Sequence, residues 1–150
     1  MKSIYSLVDD IYAVVASKEV PEDVDLYEEI ENFGEGCKRL MTKLFTEQRD
    51  GRKLRMSNIG RDDRYLWNVV NNSDVQEEMT PNTHVKFMYG HLIEEMLLFL
   101  TKISGHEVTD EQKQCEVSGI IGHMDCKIDG VVTDVKSTST FGFKKFKDGS

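Results

Sequence analysis

No stretch of this chain approaches the about 18 consecutive apolar residues that a membrane-spanning helix needs. Met1-Lys2 runs into an amphipathic segment, not the continuous apolar segment of a secretory leader. Cysteine is scarce: Cys37, Cys115 and Cys126 are widely spaced, form no Cys-x-x-Cys pair and leave an odd thiol. That pattern argues against a disulfide framework and a structural zinc site, and it fits a reducing cytoplasm. A Gly-x-x-x-x-Gly-Lys loop is missing, so a helicase motor would have to be a separate chain. Internal repeats and low-complexity segments are also missing. The net charge of −8 argues against wholesale coating of nucleic acid.

What is present fits one α+β domain over 150 residues, 39% hydrophobic and 31% charged. Charge is segregated along it. Residues 19–35 hold eight acids and no base, while residues 38–64 hold nine Lys or Arg against four acids. Lys144, Lys145 and Lys147 add a basic tail. Such segregation permits a local phosphate-binding face on an acidic protein, although each cluster taken alone reads as a solvated helix face.

Hydrophobic periodicity predicts a helical N-terminal segment over residues 1–48. Ser3 caps a first helix with Ile4, Leu7, Val8, Ile11, Val14 and Val15 on one stripe. Leu26, Ile30, Phe33, Cys37, Leu40 and Leu44 mark a second, a candidate hairpin partner of the first. Asp50-Gly51 reads as a turn. Ser57 precedes a third helix, from Asn58 to about Asn71. A long helix follows from Thr83 to about Lys102, striped by Phe87, Leu92, Met96, Phe99 and Leu100 and closed by Gly105. Residues 106–117 read as a first strand, and the alternating runs of residues 119–138 supply a second and a third.

Those two runs meet at Asp129-Gly130, a strong signal for a two-residue hairpin. The turn pairs Ile128 with Val131, and continuing that register sets Asp125 opposite Asp134 and His123 opposite Lys136. With period-two alternation, Asp134 and Lys136 share the face of Asp125. Met124, Cys126, Ile128, Val131 and Val135 form the opposite, apolar face. Two carboxylates in such proximity are destabilising unless neutralised, and a hard divalent cation would neutralise them. The plainer reading is a wet sheet face that carries charges for solubility. The preceding helix adds Glu94 and Glu95, at helical spacing from His91.

In this order the segments resemble the PD-(D/E)XK nuclease superfamily, most closely its RecB-like and phage-exonuclease branch. Gly90-His91-Leu92-Ile93-Glu94 is similar to the Gly-x-x-x-Glu element of the first core helix. Gly122-His123-Met124-Asp125 is similar to Gly-x-x-Asp of the second strand, and Asp134-Val135-Lys136-Ser137 to Asp/Glu-x-Lys of the third. Residues 57–67, from Ser57 to Trp67, resemble the Ser-x-x-Gly-x-Cys-x-Arg-x-Leu-Trp stretch upstream of the core in many RecB-like nucleases.

The resemblance implies a partial restriction-endonuclease-like core over residues 55–150: a helix, then a three-stranded, mainly antiparallel sheet. It implies a metal-dependent deoxyribonuclease of phage-infected or bacterial cytoplasm, acting in recombination, replication or host-DNA breakdown. Asp125, Asp134 and the Val135 carbonyl would bind Mg²⁺ or Mn²⁺, with Glu94 in or beside the coordination sphere. Lys136 would orient or deprotonate water and steady the phosphorane. Ser57, Arg61 and Arg64 would contact DNA phosphates. His91 reads as a supporting group, and Leu66 and Trp67 as core. Asp62 stands where iron–sulfur members carry cysteine, so no iron–sulfur cluster is expected. The last core helix and strand of the family have no counterpart after residue 140. That predicts a split or truncated member, completed by a second polypeptide or by self-association. Two other classes remain: a nuclease-like module that binds DNA or protein without cutting, and an assembly subunit whose acids are only solvated.

Overall fold

The computed structural model describes residues 2–46, 54–72 and 80–149. Asp50-Gly51 lies outside the described residues. Among them are five α-helices and five short strands: α1 (Leu7–Ser17), α2 (Leu26–Thr46), α3 (Asp63–Asn71), α4 (Pro81–Ile103), β1 (Val108–Thr109), β2 (Lys113–Val117), β3 (Ile120–Met124), β4 (Cys126–Ile128), β5 (Val131–Thr133) and α5 (Thr140–Asp148). The fold is α+β. None of the described helices is long and apolar enough to cross a membrane.

Helix α4 is the axis. Its first turn is set by Pro81, whose missing N–H costs nothing there, and by Thr80, whose hydroxyl accepts a hydrogen bond from the Thr83 amide at 3.3 Å. Both N-terminal helices pack on α4. Phe33 of α2 meets Phe99 of α4 with ring centroids 5.4 Å apart. Ile4, in the tight turn Ile4–Ser6 before α1, and Leu7 and Ile11 of α1 turn inward, while Val8 and Val15 of the expected stripe are exposed.

Helix α3 starts at Asp63, not at Asn58. Residues 56–58 form a single tight turn, Gly60 takes a left-handed φ of 81°, and the chain re-enters a helix only where Asp62 caps it. The Asp62 carboxylate accepts from the amides of Arg64 and Tyr65 at 2.9 and 3.4 Å. The residue that replaces a cysteine of the resembled motif is thus a helix cap. Trp67 is 60% exposed, a correction to its expected place in the core.

The strand region departs from the three long strands read from sequence. Both β2–β3 and β4–β5 are hairpins with two-residue turns, Ser118-Gly119 and Asp129-Gly130. All four turn residues have positive φ, from 51° to 79°, as hairpins matched to the twist of their strands require. The pairing Ile128↔Val131 is as expected. His123, however, lies opposite Gln114 and not Lys136.

The ladder between β4 and β5 ends at Cys126↔Thr133, and on the other edge of β4 the pairing slips by one residue. The pairs Val108↔Ile128 and Thr109↔Lys127 follow one register, and Lys113↔Met124 begins another with one extra residue on the 110–112 side. This is a bulge: it bends the two-stranded arm and splits it into a three-stranded sheet ordered β1-β4-β5 and the separate hairpin β2-β3. Asp110 and Gln112 adopt left-handed φ of 55° and 50° to make it. Lys113 and Lys127 clasp the Asp110 carboxylate at 2.9 and 2.7 Å, which holds it below the usual carboxylate range.

The small core lies where α4 meets the three-stranded sheet: Leu98, Cys126 and Ile128, covered by Ile4, Leu7 and Val108. Burial, reinforced by the nearby Asp125 charge, pushes the Cys126 thiol up to about 11, so it stays protonated and unreactive at neutral pH. The tail, for which the sequence pattern suggested no element, forms α5, capped by Ser139 through the Gly142 amide at 3.2 Å. Its Phe141, Phe143 and Phe146 are exposed. In urea unfolding, Ile128→Ala is expected to cost about 2–5 kcal/mol, whereas Val132→Ala on the exposed face stays within about 1 kcal/mol.

Candidate functional site

The site grows from a close crossing of α4 by the segment after β5. Gly90 stands at this crossing: a Cβ there would already lie 3.4 Å from the Ser137 hydroxyl, so a larger side chain would push the segment away. One turn further along α4, Glu94 points toward the bulge. Its Oε1 accepts a hydrogen bond from the Gln112 side-chain amide at 2.7 Å, and its Oε2 lies 3.6 Å from Nδ1 of His91. Only 15% of the Glu94 side chain is exposed. Burial, and after it the negative charge of Asp125, raises its carboxyl above the ordinary range.

Asp125 sits at the break between β3 and β4. Freed from the ladder by the bulge, its Oδ2 accepts a hydrogen bond from the Val135 amide at 2.8 Å. The expected face-to-face pair of Asp125 and Asp134 is therefore not a ladder pair. The ladder ends at Cys126↔Thr133, and Asp125 braces the chain one residue beyond Asp134. Asp134 itself is ion-paired with Lys136 at 2.7 Å. That bond raises the Lys136 ammonium above its usual value, aided by the charges of Asp125 and Glu94. All four expected residues thus share one electrostatic neighbourhood, but not one coordination sphere. Among the described residues no three His, Cys, Asp or Glu side chains gather as a ready-made metal site.

The donor chemistry nevertheless suits a hard cation. Glu94 and Asp125 are two carboxylates near each other: burial first, and the Asp125 charge second, raise the Glu94 carboxyl, and the hydrogen bonds they accept from Gln112 and Val135 come from neutral N–H groups. Neutral donors fix the oxygens without cancelling their charge, which suits a divalent ion with oxygen ligands. Asp134 is ion-paired with Lys136.

The upstream stretch is stitched to the same sheet. Arg55 bridges to Ile121 of β3, and Met56 packs so tightly over Gly122 that a Cβ there would sit 2.7 Å from the Met56 sulfur. The glycine at 122 of the resembled motif thereby acquires a packing reason. Ser57, Arg61 and Arg64 are exposed beyond this junction, with the Arg61 guanidinium 5.7 Å from the centre of the Tyr65 ring.

A second polar cluster has no counterpart in the sequence reading. His106 has no side-chain exposure and bonds Asp129 through Nδ1 at 2.7 Å and Asp10 through Nε2 at 3.0 Å. Ser6 and Lys2 also reach Asp10, at 2.9 and 3.3 Å, and Lys2 reaches the Ser104 carbonyl at 2.6 Å. The Ser6 hydroxyl foremost lowers the Asp10 carboxyl. Centred on the buried His106, this cluster is a clasp: it ties the N-terminal segment and the turn at 129–130 to the end of α4. Its partners lie 23 and 96 residues from His106 in sequence, so no local pattern signals it. Gln112 was likewise missed.

No protein-family model, no curated protein and no solved structure matches the chain.

The raised Glu94 carboxyl has a stability consequence. Its folded pKa lies above the unfolded value, so the ionised group opposes folding, and stability is lost as pH rises through that window. In metal-free protein, Glu94→Gln is expected to be near neutral below about pH 4 and stabilising at pH 7. Thermal melts at both pH values in chelator check this.

Proposed function

We propose that the chain carries the metal-binding and hydrolytic residues of a DNA nuclease that cleaves phosphodiester bonds with Mg²⁺ or Mn²⁺, of the phage-exonuclease type. The observation that carries this reading is the pairing of Glu94 with Asp125, two carboxylates held by neutral donors within the electrostatic reach of Lys136. Glu94 and Asp125 would hold the ion, with Asp134 and the Val135 carbonyl next to them. Bound there, a divalent cation supplies an activated water and offsets charge on the scissile phosphate.

The remaining roles belong to side chains. Lys136 is held 2.7 Å from Asp134 and its ammonium is raised, so it stays charged at neutral pH. It therefore acts as a fixed positive group steadying the phosphorane, not as the base that takes a proton from water. Asp134 orients that ammonium. Ser57, Arg61 and Arg64 form an exposed polar and basic edge suited to DNA phosphates.

One observation favours a second reading. Asp134 pairs with Lys136, and among the described residues no three His, Cys, Asp or Glu side chains gather around a common ion, as expected of a module that holds DNA without cutting it. Incubation with linear, nicked and circular DNA in Mn²⁺ separates the two. The nuclease reading expects cleavage, and Lys136→Ala is expected to slow it by about 100–1000-fold, the loss seen when one charge-stabilising donor is removed. Mn²⁺ at about 100 times its dissociation constant should stabilise the folded chain by about 2.7 kcal/mol, and Asp125→Ala should abolish that gain. Full cleavage by Lys136→Ala overturns the mechanism. DNA retained intact by the wild type with Mn²⁺ bound leaves the binding module.

A further inference from the structure

Gln112 is tied to both residues of the carboxylate pair, to Glu94 by its side chain and to Asp125 by its main chain. Its main-chain amide donates to the Asp125 carbonyl at 2.8 Å, and its side-chain amide donates to Glu94 Oε1 at 2.7 Å. It does this from a left-handed φ of 50°, a conformation that a residue with a side chain adopts only at a cost. Ser118 and Asp129 hold the same conformation in the hairpin turns, at φ of 52° and 51°. Glycine at 112 would form the same bulge with less strain, and what glutamine adds there is the bond to Glu94.

We infer that Gln112 is a positioning residue of the proposed metal site, holding Glu94 of α4 at a fixed place relative to Asp125 at the strand break. The inference rests on the nuclease reading above. The chemistry of the donor matters. An amide is neutral, so it fixes one Glu94 oxygen without cancelling the charge that a cation needs. Lysine or arginine at this position would satisfy the same oxygen but repel the ion. Without a donor, Glu94 is partly buried beside the like charge of Asp125 and has only His91 nearby, at 3.6 Å. It would then swing away from the pair. Groups that orient metal-binding side chains in this way typically contribute about 10–100-fold in metal affinity.

Three variants test the assignment in the full chain, read by Mn²⁺-dependent thermal shift and by direct Mn²⁺ titration. Gln112→Gly keeps the main-chain bond and relieves the strained φ. It is expected to melt at or above the wild-type temperature without metal, yet to bind Mn²⁺ about 10–100-fold more weakly. Gln112→Met keeps the bulk without the donor and should lose the same affinity. Gln112→Lys restores a donor with a charge and should not restore Mn²⁺ affinity; a purely structural role would accept it. Unchanged Mn²⁺ affinity in Gln112→Gly overturns this inference alone. A wild type that shows no Mn²⁺ response, equal to Asp125→Ala, overturns the metal reading and this inference with it.

Discussion

The hydrogen bond from the Gln112 amide to the Asp125 carbonyl, 2.8 Å long, pins the one-residue slip on which the rest of the sheet depends. On one side of it the two arms pair as β1 with β4, and on the other as β2 with β3. Side chains alternate with period two, so a slip of one residue exchanges the faces of everything beyond it. Cys126 and Ile128 can therefore be buried under α4 while β2 and β3 bend away as a separate hairpin. The same slip ejects Asp125 from the ladder and leaves its carboxylate to bind the Val135 amide. One geometric defect thus supplies both the corner of the fold and the placement of a candidate ligand.

Electrostatics reinforce this corner from both ends. Asp110, at the start of the bulge, is neutralised by Lys113 and Lys127. At the far end of the three-stranded sheet, the buried His106 ties Asp129 of the turn to Asp10 of α1. Buried and hydrogen-bonded polar groups of this kind are costly to break, because removing one partner leaves the other unpaired. Between these neutralised clusters lie Glu94 and Asp125, like charges held by neutral donors. The contrast is physical: Asp110 is clasped by two ammonium groups, whereas the bonds to Glu94 and Asp125 from Gln112 and Val135 carry no charge.

Much of this was legible in the chain because it depends on neighbours in sequence. Asp129-Gly130 specifies a two-residue turn through left-handed backbone at two adjacent residues, and Ile128↔Val131 follows from it. The long helix was legible from its apolar spacing and extends only two residues further at its start than that spacing suggested. Helix α3 was misplaced because Ser57 looked like a cap, while the real cap is Asp62, after Gly60 has turned the chain. Opposition of His123 to Lys136 failed because the β4–β5 ladder ends at Cys126↔Thr133 and β3 pairs only with β2, and the bulge of Asp110 and Gln112 at which the arm bends leaves no signature in hydrophobic alternation. Trp67 was assigned to the core by its size, but α3 presents it outward.

The sequence by itself determined which chemical groups this protein holds, in what order, and where the turn at 129–130 and the long helix fall. These follow from propensity, capping and periodicity, all set within a few residues. Tertiary structure alone decided which of those groups meet. Glu94 is linked to Asp125 through Gln112 of the bulge, and Asp134 is drawn to Lys136. Gln112 becomes part of the site, and His106 closes onto residues 23 and 96 positions away. Such contacts depend on how packed elements cross and on one shift in register, and neither is written in any local run of residues.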